Sequence, residues 1–362
     1  MSVPRTNEMK PSMDLAAMSE IVERFAGKKI VMFGDFVADE FQFGEISRVS
    51  REAPVLILRH RRTNITPGGG ANAANNLAAL GAKVYPVTVV GDDAAGAALT
   101  KYFSSVAAST SGIVRARNWA TPTKTRFLAG WTHTVAQQVL RVDREPGEPL
   151  SERVSAKISA KLRAMLRSAD GIAVSDYGFG VTSPAALREA INDVIGGVRR
   201  KNAMALAMPV TVDARHRLDG YANCGVTSAT PNEAELEALH HTSIAHNLQE
   251  LEKCGRATLK KMGLQSLLVT RGNDGMALFE SGGKKLTQIP IHGNDQAVDV
   301  TGAGDTVLAA YTLGLASGAS PLEAAQIANI AGGLVVMKRG TAVVTRAELL
   351  AAIQAEISGT AS

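Results

Sequence analysis

The chain has 362 residues, of which 45% are hydrophobic and 20% charged, with a formal net charge of +5. This length suits one large domain with an appendage, and the mild basicity without a long block of like charge argues against a nucleic-acid-binding arm and suits an anionic small substrate. Two cysteines, Cys224 and Cys254, are too few for a disulfide framework or a zinc site, so we expect both to be reduced in a cytoplasmic protein.

The N-terminal segment contains no uninterrupted apolar stretch, so the sequence predicts no secretory signal peptide. Residues 1–12 have the composition of a disordered tail, whereas apolar side chains at helical spacing predict a helix over Ser12–Phe25. The apolar run Lys29–Phe33 is typical of a buried strand. We therefore expect residues 1–28 to be an extension of a domain that begins at residue 29.

Four further segments mix aromatic, apolar and charged residues, which is typical of a small sheet with one face in water. They are Phe41–Ile46, Val55–His60, Thr123–Leu128 and Val135–Val142. We interpret them as a small β-sheet lid whose strands lie within about residues 41–66 and 123–143.

Elsewhere, short apolar runs alternate with helical patterns. The predicted buried strands are Val84–Val90, Gly171–Ser175, Val210–Asp213 and Ser266–Thr270. Predicted helices such as Asn72–Leu80 and Ser151–Arg167 lie between them. This alternation predicts an α/β fold with a doubly wound, mostly parallel sheet flanked by helices.

The longest apolar stretch, Thr306–Leu322, contains serines and a proline. It predicts a buried helix and falls short of a membrane span. Ser320, Pro321 and Glu323 have the spacing of a helix start, with a cap, a first-turn proline and a capping-box glutamate.

The segment Asp299-Val300-Thr301-Gly302-Ala303-Gly304-Asp305, which precedes that helical stretch, carries the strongest chemical signal. Glycines before a helix let backbone N–H groups point at an anion, and the helix dipole adds a favourable potential. A carboxylate there would repel phosphate unless it had a task, and accepting a proton from an attacking hydroxyl is such a task. On spacing alone, a tight turn with a capping aspartate is an equally good interpretation.

Two motifs together resemble the signatures of the ribokinase-like (pfkB) carbohydrate kinases. One is the segment ending at Asp305, and the other is Pro67-Gly68-Gly69-Gly70-Ala71-Asn72-Ala73-Ala74-Asn75-Asn76-Leu77. The resemblance covers residues 29–352 and leaves 353–362 as a tail. It implies a ribokinase-like fold with a lid, ATP as phosphoryl donor, Mg²⁺, and Asp305 as the catalytic base beside the backbone of Gly302, Ala303 and Gly304.

The same resemblance implies roles for other positions. The sugar would be bound by Asp35, Asp39, Gly68, Gly69 and Asn72, and the nucleotide by Asn232, Thr270, Gly272, Gly275 and Asn329. Glu235 would support the Mg²⁺ site through water, although the spacing to Asn232 equally suits a helix cap. Asp299, Thr301 and Gly340 resemble the family's loops for a monovalent cation such as K⁺.

Several segments are similar to the kinase domain of bacterial heptose-7-phosphate kinases. They are Gly34–Asp39, Ser47–Val55, Thr123–Arg126, Leu140–Asp143 and Ser175–Tyr177. This resemblance implies phosphorylation of the anomeric hydroxyl of D-glycero-β-D-manno-heptose 7-phosphate, in the supply of ADP-heptose for lipopolysaccharide. Arg48, Lys124, Arg126 and Arg141 could grip the substrate phosphate, or could equally form salt bridges within the lid.

Three positions depart from the heptose kinase pattern, which has proline at Arg51, lysine at Phe179 and proline at Ala214. The departures leave open a kinase for another sugar, sugar phosphate or nucleoside, and more remotely a non-catalytic sensor. We expect a homodimer paired through the lid. We also expect a separate nucleotidyltransferase downstream, because the chain shows no nucleotidyltransferase-type histidine motif.

Overall fold

The computed structural model describes residues 14–131, 136–199, 208–293 and 297–359. The strands in these ranges are β1 Lys29–Gly34, β2 Phe36–Val49, β3 Leu56–Gly69, β4 Lys83–Gly91, β5 Ile113–Ala116, β6 Thr123–Gly130, β7 Gln137–Arg144, β8 Gly171–Asp176, β9 Val210–Ala214, β10 Ser228–Ala229, β11 Ser266–Thr270, β12 Met276–Glu280 and β13 Thr287–Ile289. The helices are α1 Leu15–Glu23, α2 Gly70–Ala79, α3 Ala94–Val106, α4 Glu152–Leu166, α5 Pro184–Arg199, α6 Glu233–His240, α7 Leu248–Met262, α8 Ala303–Ala316, α9 Pro321–Val336 and α10 Arg346–Ile357. Residues 1–12 and the predicted strand start at Val135 lie outside the described ranges.

Within the described residues, nine strands form one large sheet in the order β13-β12-β11-β10-β9-β8-β1-β4-β5. The strands from β5 to β11 pair in parallel, and β12 and β13 are antiparallel. In β1, Ile30 and Met32 belong to one apolar cluster, whereas Val31 and Phe33 belong to another. Because successive side chains of a strand point to opposite faces, helices cover the sheet on both sides, which confirms the predicted doubly wound α/β fold.

A second sheet of four described strands, in the order β3-β2-β6-β7, forms the lid. Strands β2 and β3 are each 14 residues long, longer than the sequence predicts, because they run from the buried interior out into the lid. Every residue of β7 is exposed. The small sheet is therefore anchored at one end and open to solvent at the other.

The apolar stretch Thr306–Leu322 is not one helix, so that prediction was wrong. Helix α8 ends at Ala316, and Gly318 follows with a φ of 88°, a conformation that favours glycine. Helix α9 then begins at Pro321 with the predicted capping box between Ser320 and Glu323. No helix among the described residues is long and apolar enough to cross a membrane.

Part of the predicted extension belongs to the folded body. Helix α1 buries Met18, Ile21 and Val22 in the same apolar cluster as α10. Arg346 at the start of α10 donates hydrogen bonds to the Glu23 carbonyl and carboxylate, both at 3.1 Å. The chain before β1 and the C-terminal helix therefore stabilise one another.

Candidate active site

The glycine-rich segment begins helix α8 at the carboxyl edge of the large sheet. Gly302 is the N-cap with a φ of 80°, and a Cβ atom there would lie 2.5 Å from the Asn72 amide nitrogen. Both constraints require glycine. Ala303 and Gly304 follow in the first turn, where backbone N–H groups lack helical partners. The Ala303 N–H makes only a long contact of 3.3 Å to the Val300 carbonyl, so an incoming anion could compete for it.

Asp305 lies in the same turn and is only 4% exposed. Its Oδ2 accepts a hydrogen bond from the Asn72 amide at 2.8 Å, and its Oδ1 accepts one from the Tyr177 hydroxyl at 3.2 Å. Burial raises the pKa of Asp305 to about 7, although these two donors and Lys124 oppose the rise. A carboxyl group that titrates near neutrality is suited to accept a proton from a sugar hydroxyl.

A chain of hydrogen bonds behind the carboxylate fixes its main donor. The Thr306 hydroxyl donates to Asn76 Oδ1 at 3.0 Å, and the Asn76 amide donates to the Asn72 carbonyl at 3.0 Å. Sequence reasoning quoted Asn76 only as part of a motif and gave it no role. The i, i+4 spacing of the two asparagines on α2 was the available signal.

The lid approaches Asp305 through Asp39 on β2. Asp39 is 4% exposed and pairs with Arg126 at 2.6 Å. Its carboxylate lies so close to Gly68 that any side chain at 68 would collide with it. Lys124 is the register partner of Asp39 on β6, and register partners project from the same face. The lid face beside Asp305 therefore carries Asp39, Lys124 and Arg126.

Arg141 lies on the adjacent strand β7, opposite Arg126. Its guanidinium makes a bidentate pair with Asp143 at 2.7 and 2.6 Å, which raises the pKa of Arg141 and lowers that of Asp143. The arginine is thus available to a substrate phosphate only if the phosphate replaces or joins Asp143. Its role in substrate binding stays a prediction.

Asp35 requires a correction, because its carboxylate does not offer free oxygens to a sugar. The side chain is fully buried, and it accepts the backbone N–H groups of Tyr177, Phe179 and Val181 at 2.8, 3.1 and 3.0 Å. Burial together with the charge of Asp176 nevertheless raises the pKa of Asp35 to about 6. Asp35 anchors the loop after β8, and Asp39 is the carboxylate of that motif that lies in the site.

A cleft of about 700 Å³ opens beside the N-terminus of α8. Its lining includes four of the five predicted nucleotide-binding residues together with the first turn of α8, namely Thr270, Gly272, Gly275, Asn329, Ala303 and Gly304. The Asn329 amide donates to the Pro290 carbonyl at 2.8 Å and so fixes one wall of the cleft. The apolar lining residues Met276, Ile291 and Val307 could contact a flat ring.

The fifth, Asn232, lines a separate polar cavity of about 530 Å³, with Asp176, Asp213, Arg215 and Glu235. Asn232 and Glu235 form the capping box of α6, as the simpler interpretation of their spacing predicted. Burial raises the pKa of Asp213, and the carboxylates of Glu235 and Asp305 raise it further. A bound cation would relieve this repulsion between carboxylates.

Among the described residues, no cluster of three metal-ligating side chains could hold an ion directly. Mg²⁺ usually keeps several waters and binds through one or two carboxylates plus substrate phosphates. The cavity fits that arrangement, since Glu235 and Asp213 line it and would reach such an ion through water. It does not fit a metal bound by protein ligands alone.

The Asp299 side chain accepts hydrogen bonds from Thr301 and Gly340, the other two residues that were predicted to bind a monovalent cation. Its Oδ1 accepts the Thr301 N–H and its Oδ2 accepts the Gly340 N–H, each at 2.9 Å. Although burial opposes the change, these donors lower the pKa of Asp299. Any cation here would be bound by carbonyl oxygens of loops that Asp299 organises.

The three departures from the heptose kinase pattern lie in different surroundings. Phe179 is partly buried against the apolar cluster on one face of the large sheet. Ala214 is buried at the end of β9, and Arg51 is exposed in the turn between β2 and β3. Of the three, position 179 is the one that lies in a loop whose Tyr177 contacts Asp305.

Residues 28–347 match the model of the pfkB family carbohydrate kinases. The chain is 37% identical over 344 residues to the bifunctional protein HldE of Trichlorobacter lovleyi, covering 95% of this chain and 66% of that protein. It is 39% identical over 340 residues to the HldE of Caulobacter vibrioides, covering 92% and 65%. The chain therefore spans slightly less than two thirds of the length of these curated relatives.

Among solved structures, the fold is similar to ribokinase from Arabidopsis thaliana complexed with ribose and ATP. The TM-score is 0.68 at 20% identity, over 91% of this chain and 99% of that one. Phosphofructokinase-2 from Escherichia coli in complex with potassium gives a TM-score of 0.70 at 18% identity, over 91% and 98%. At these identities the likeness concerns the fold alone.

Proposed function

Since the chain belongs to the pfkB family of carbohydrate kinases, we propose that it transfers a phosphoryl group from ATP to the anomeric hydroxyl of D-glycero-β-D-manno-heptose 7-phosphate. The observation that carries the proposal is the buried carboxylate of Asp305 at the N-terminus of α8. It lies between the cleft that suits a nucleotide and the lid face that carries Asp39, Lys124 and Arg126.

In the proposed reaction, Asp305 accepts the proton of the anomeric hydroxyl as the oxygen attacks the terminal phosphorus of ATP. The bond between that phosphorus and the bridging oxygen breaks, and ADP leaves. First-turn N–H groups at Ala303 and Gly304 stabilise the charge that spreads over the transferring group. Mg²⁺, held near Glu235 and Asp213, would neutralise charge on the donor phosphates.

The lid supports an anionic acceptor. Arg126 neutralises Asp39, so Lys124 supplies charge for a substrate phosphate, and Arg141 lies one strand further out. Burial lowers the pKa of Lys124 while Asp39 opposes that change, so the lysine would gain from a bound anion. Lid closure would also exclude water, which otherwise accepts the phosphoryl group.

The first experiment is ATP consumption with a panel of sugars and sugar phosphates, with Mg²⁺ and with or without K⁺. Turnover of the heptose 7-phosphate in preference to the panel is the expected result. Preference for another sugar would retain the family and refute the substrate. Ligand binding without turnover of any sugar would instead indicate a sensor.

A kinase for a different sugar phosphate is the second candidate, and the side chain of Phe179 favours it. An apolar ring stands where the heptose kinase pattern has lysine, in the loop that positions Tyr177. If the Phe179→Lys variant turns over the heptose phosphate much faster than the wild type, this candidate gains. An unchanged preference would mean that the substitution at 179 is a tolerated variation.

We also propose that the lid pairs two copies of the chain and that a separate nucleotidyltransferase consumes the product. Leu140 and Val142 on β7 and Val49 on β2 are 55%, 50% and 58% exposed, which is unfavourable in a monomer. Sedimentation at micromolar concentration should show a dimer, and Leu140→Glu should shift it to monomer. Wild-type protein that sediments only as monomer would refute the pairing.

A further inference from the structure

Tyr177 touches two parts of the site, one in the main body and one in the lid. Its hydroxyl donates to Asp305 Oδ1 at 3.2 Å, and the ammonium group of Lys124 lies 5.3 Å from the centre of its ring. Asp305 starts α8 in the main body, whereas Lys124 lies on strand β6 of the lid. One side chain therefore contacts both the group that would accept the proton and a cation that would face the acceptor.

The backbone of Tyr177 is held with unusual strength. Asp35 accepts the N–H groups of residues 177, 179 and 181 through both of its carboxylate oxygens. Such charge-assisted bonds are roughly twice as strong as neutral ones. Two glycines, Gly178 and Gly180, take positive φ angles of 83° and 90° so that the loop can wrap around the carboxylate.

The ring of Tyr177 is fixed as closely as its backbone. A Cβ atom at Gly69, the last residue of β3, would lie 3.2 Å from Tyr177 Cε2, so the absence of a side chain there makes room for the ring. Two fully buried tyrosines of the same domain bond elsewhere, Tyr221 to Asp176 and Tyr311 to Ser266. Contact with the base thus distinguishes Tyr177 from tyrosines that serve packing.

We propose that Tyr177 is a positioning residue for phosphoryl transfer, whose hydroxyl orients the carboxylate of Asp305 and whose ring supports Lys124, so that the base and the lid are set relative to one another. Tyr177 is held in place by the loop that Asp35 anchors. This inference rests on the proposed role of Asp305 and holds whichever sugar is the acceptor.

Several charged groups surround Tyr177 and Asp305 and shift the pKa values of both. Asp39 on β2 raises the pKa of Asp305, and Lys124 on β6 lowers it, as do the donors Asn72 and Tyr177. Burial and the charge of Asp305 raise the pKa of Tyr177, Asp213 on β9 raises it further, and Arg215 lowers it. Among the residues that the structure describes, the side chains of Asn72 and Tyr177 donate hydrogen bonds to the Asp305 carboxylate, so removing the tyrosine hydroxyl deletes one of these two donors.

The test is the dependence of kcat/KM on pH for Tyr177→Phe, measured with the best acceptor of the wild type. Loss of the hydroxyl should raise the midpoint of the acid limb by about one pH unit, since a hydrogen bond to a buried carboxylate favours its ionised form. Starting from a midpoint near 7, the variant would lose roughly fivefold at pH 7 and hardly anything at pH 9.

Tyr221→Phe is the matched control, because it also removes a buried bond between a tyrosine and a carboxylate, at Asp176, without touching Asp305. Its acid limb should keep the wild-type midpoint. If the limb of Tyr177→Phe does not move, or if both limbs move equally, Tyr177 does not position the base and the inference is wrong.

A second substitution alters the same hydroxyl but hardly changes the size of the side chain, so it does not threaten folding. Site-specific 3-fluorotyrosine at position 177 makes the phenol a stronger donor, so the acid limb should move to lower pH. A limb that moves upward, or stays, would contradict the inference. Failure of the proposed function looks different, because Asp305→Asn would then retain nearly wild-type activity.

Discussion

We call the part of the site in the main body, which carries Asp35, Tyr177 and Asp305, the floor. Its charged groups are buried, whereas those on the outer strand of the lid are exposed to solvent. On the floor, the carboxylates Asp35 and Asp305 are buried, and oriented N–H and O–H donors satisfy them. In the lid, the strand β7 is exposed along its whole length, and its pair Arg141–Asp143 lies in contact with water. Interactions of the first kind are strong and fixed, and those of the second kind are weak and screened by salt.

This difference suggests a division of labour. The carboxylates of the floor are oriented before any ligand arrives, since Asp35 and Asp305 already accept hydrogen bonds from donors within the chain. The lid has charges that can exchange partners, as Arg141 would when a phosphate replaces Asp143. We infer that the floor sets the chemistry and the lid sets the acceptor, and four experiments can break or sharpen that division.

The largest effect is expected at the floor. Asp305→Asn keeps the shape of the side chain but removes the proton acceptor, so kcat should fall by at least about 10²-fold. Asp219→Asn is the control, because that partly exposed aspartate pairs with Lys261 and not with a donor to Asp305. A near-wild-type kcat for Asp305→Asn would show that Asp305 is not the catalytic base.

The same substitution should stabilise the folded protein in the absence of ligands. Burial raises the pKa of Asp305 from 3.8 to about 7. The stability that the proton contributes is therefore present below about pH 4 and is lost as the pH rises through 7. A difference of about three pH units corresponds to roughly 4 kcal/mol. Asp305→Asn should thus melt several degrees above the wild type at pH 8, and the two should converge near pH 4.

Equal melting temperatures of the wild type and Asp305→Asn at pH 8 would show that burial of the ionised carboxylate does not destabilise the folded protein. Asp219→Asn again provides the contrast, since the Lys261 hydrogen bond lowers the pKa of Asp219. Its contribution to stability has the opposite sign, and it is lost only as the pH falls into the acid range.

The pH dependence of the wild type gives the next effect in size. If Asp305 must be ionised, kcat/KM should fall by about tenfold for each pH unit below a midpoint near 7. A profile that stays flat between pH 8 and pH 5.5 would place the base elsewhere. The midpoint should be insensitive to ionic strength, because the charge is buried.

Sequence reasoning succeeded where a short motif or a repeating pattern expresses the local geometry. The glycines, Asn72 and Asp305 were placed correctly beside one another, because each is required by backbone geometry or burial that a short motif expresses. One cleft brings together Thr270, Gly272, Gly275 and Asn329, four residues that were predicted to bind the nucleotide, for the same reason. The doubly wound sheet followed from the alternation of apolar strands and helices.

Contacts made across the fold were not accessible in this way. Asp35 belongs to a motif shared with Asp39, and sequence alone could not show that its oxygens bind the N–H groups of a loop some 140 residues later. The hydroxyl contact of Tyr177 with Asp305 spans 128 residues and gave no local signal. The break after Ala316 was hidden because a glycine turn joins two equally apolar helices.

The smallest effect is expected in the lid. Lys124→Met removes a cation without removing the length of the side chain, so KM for a phosphorylated acceptor should rise about five- to tenfold, with kcat reduced less. The unphosphorylated form of the same sugar should be affected little. Lys101→Met on the exposed face of α3 controls for the loss of a surface charge. Lys124→Met could instead lower kcat as strongly as Asp305→Asn does. The lysine would then act on the transferred group, and strand β6 would take part in the chemistry and not only in acceptor recognition.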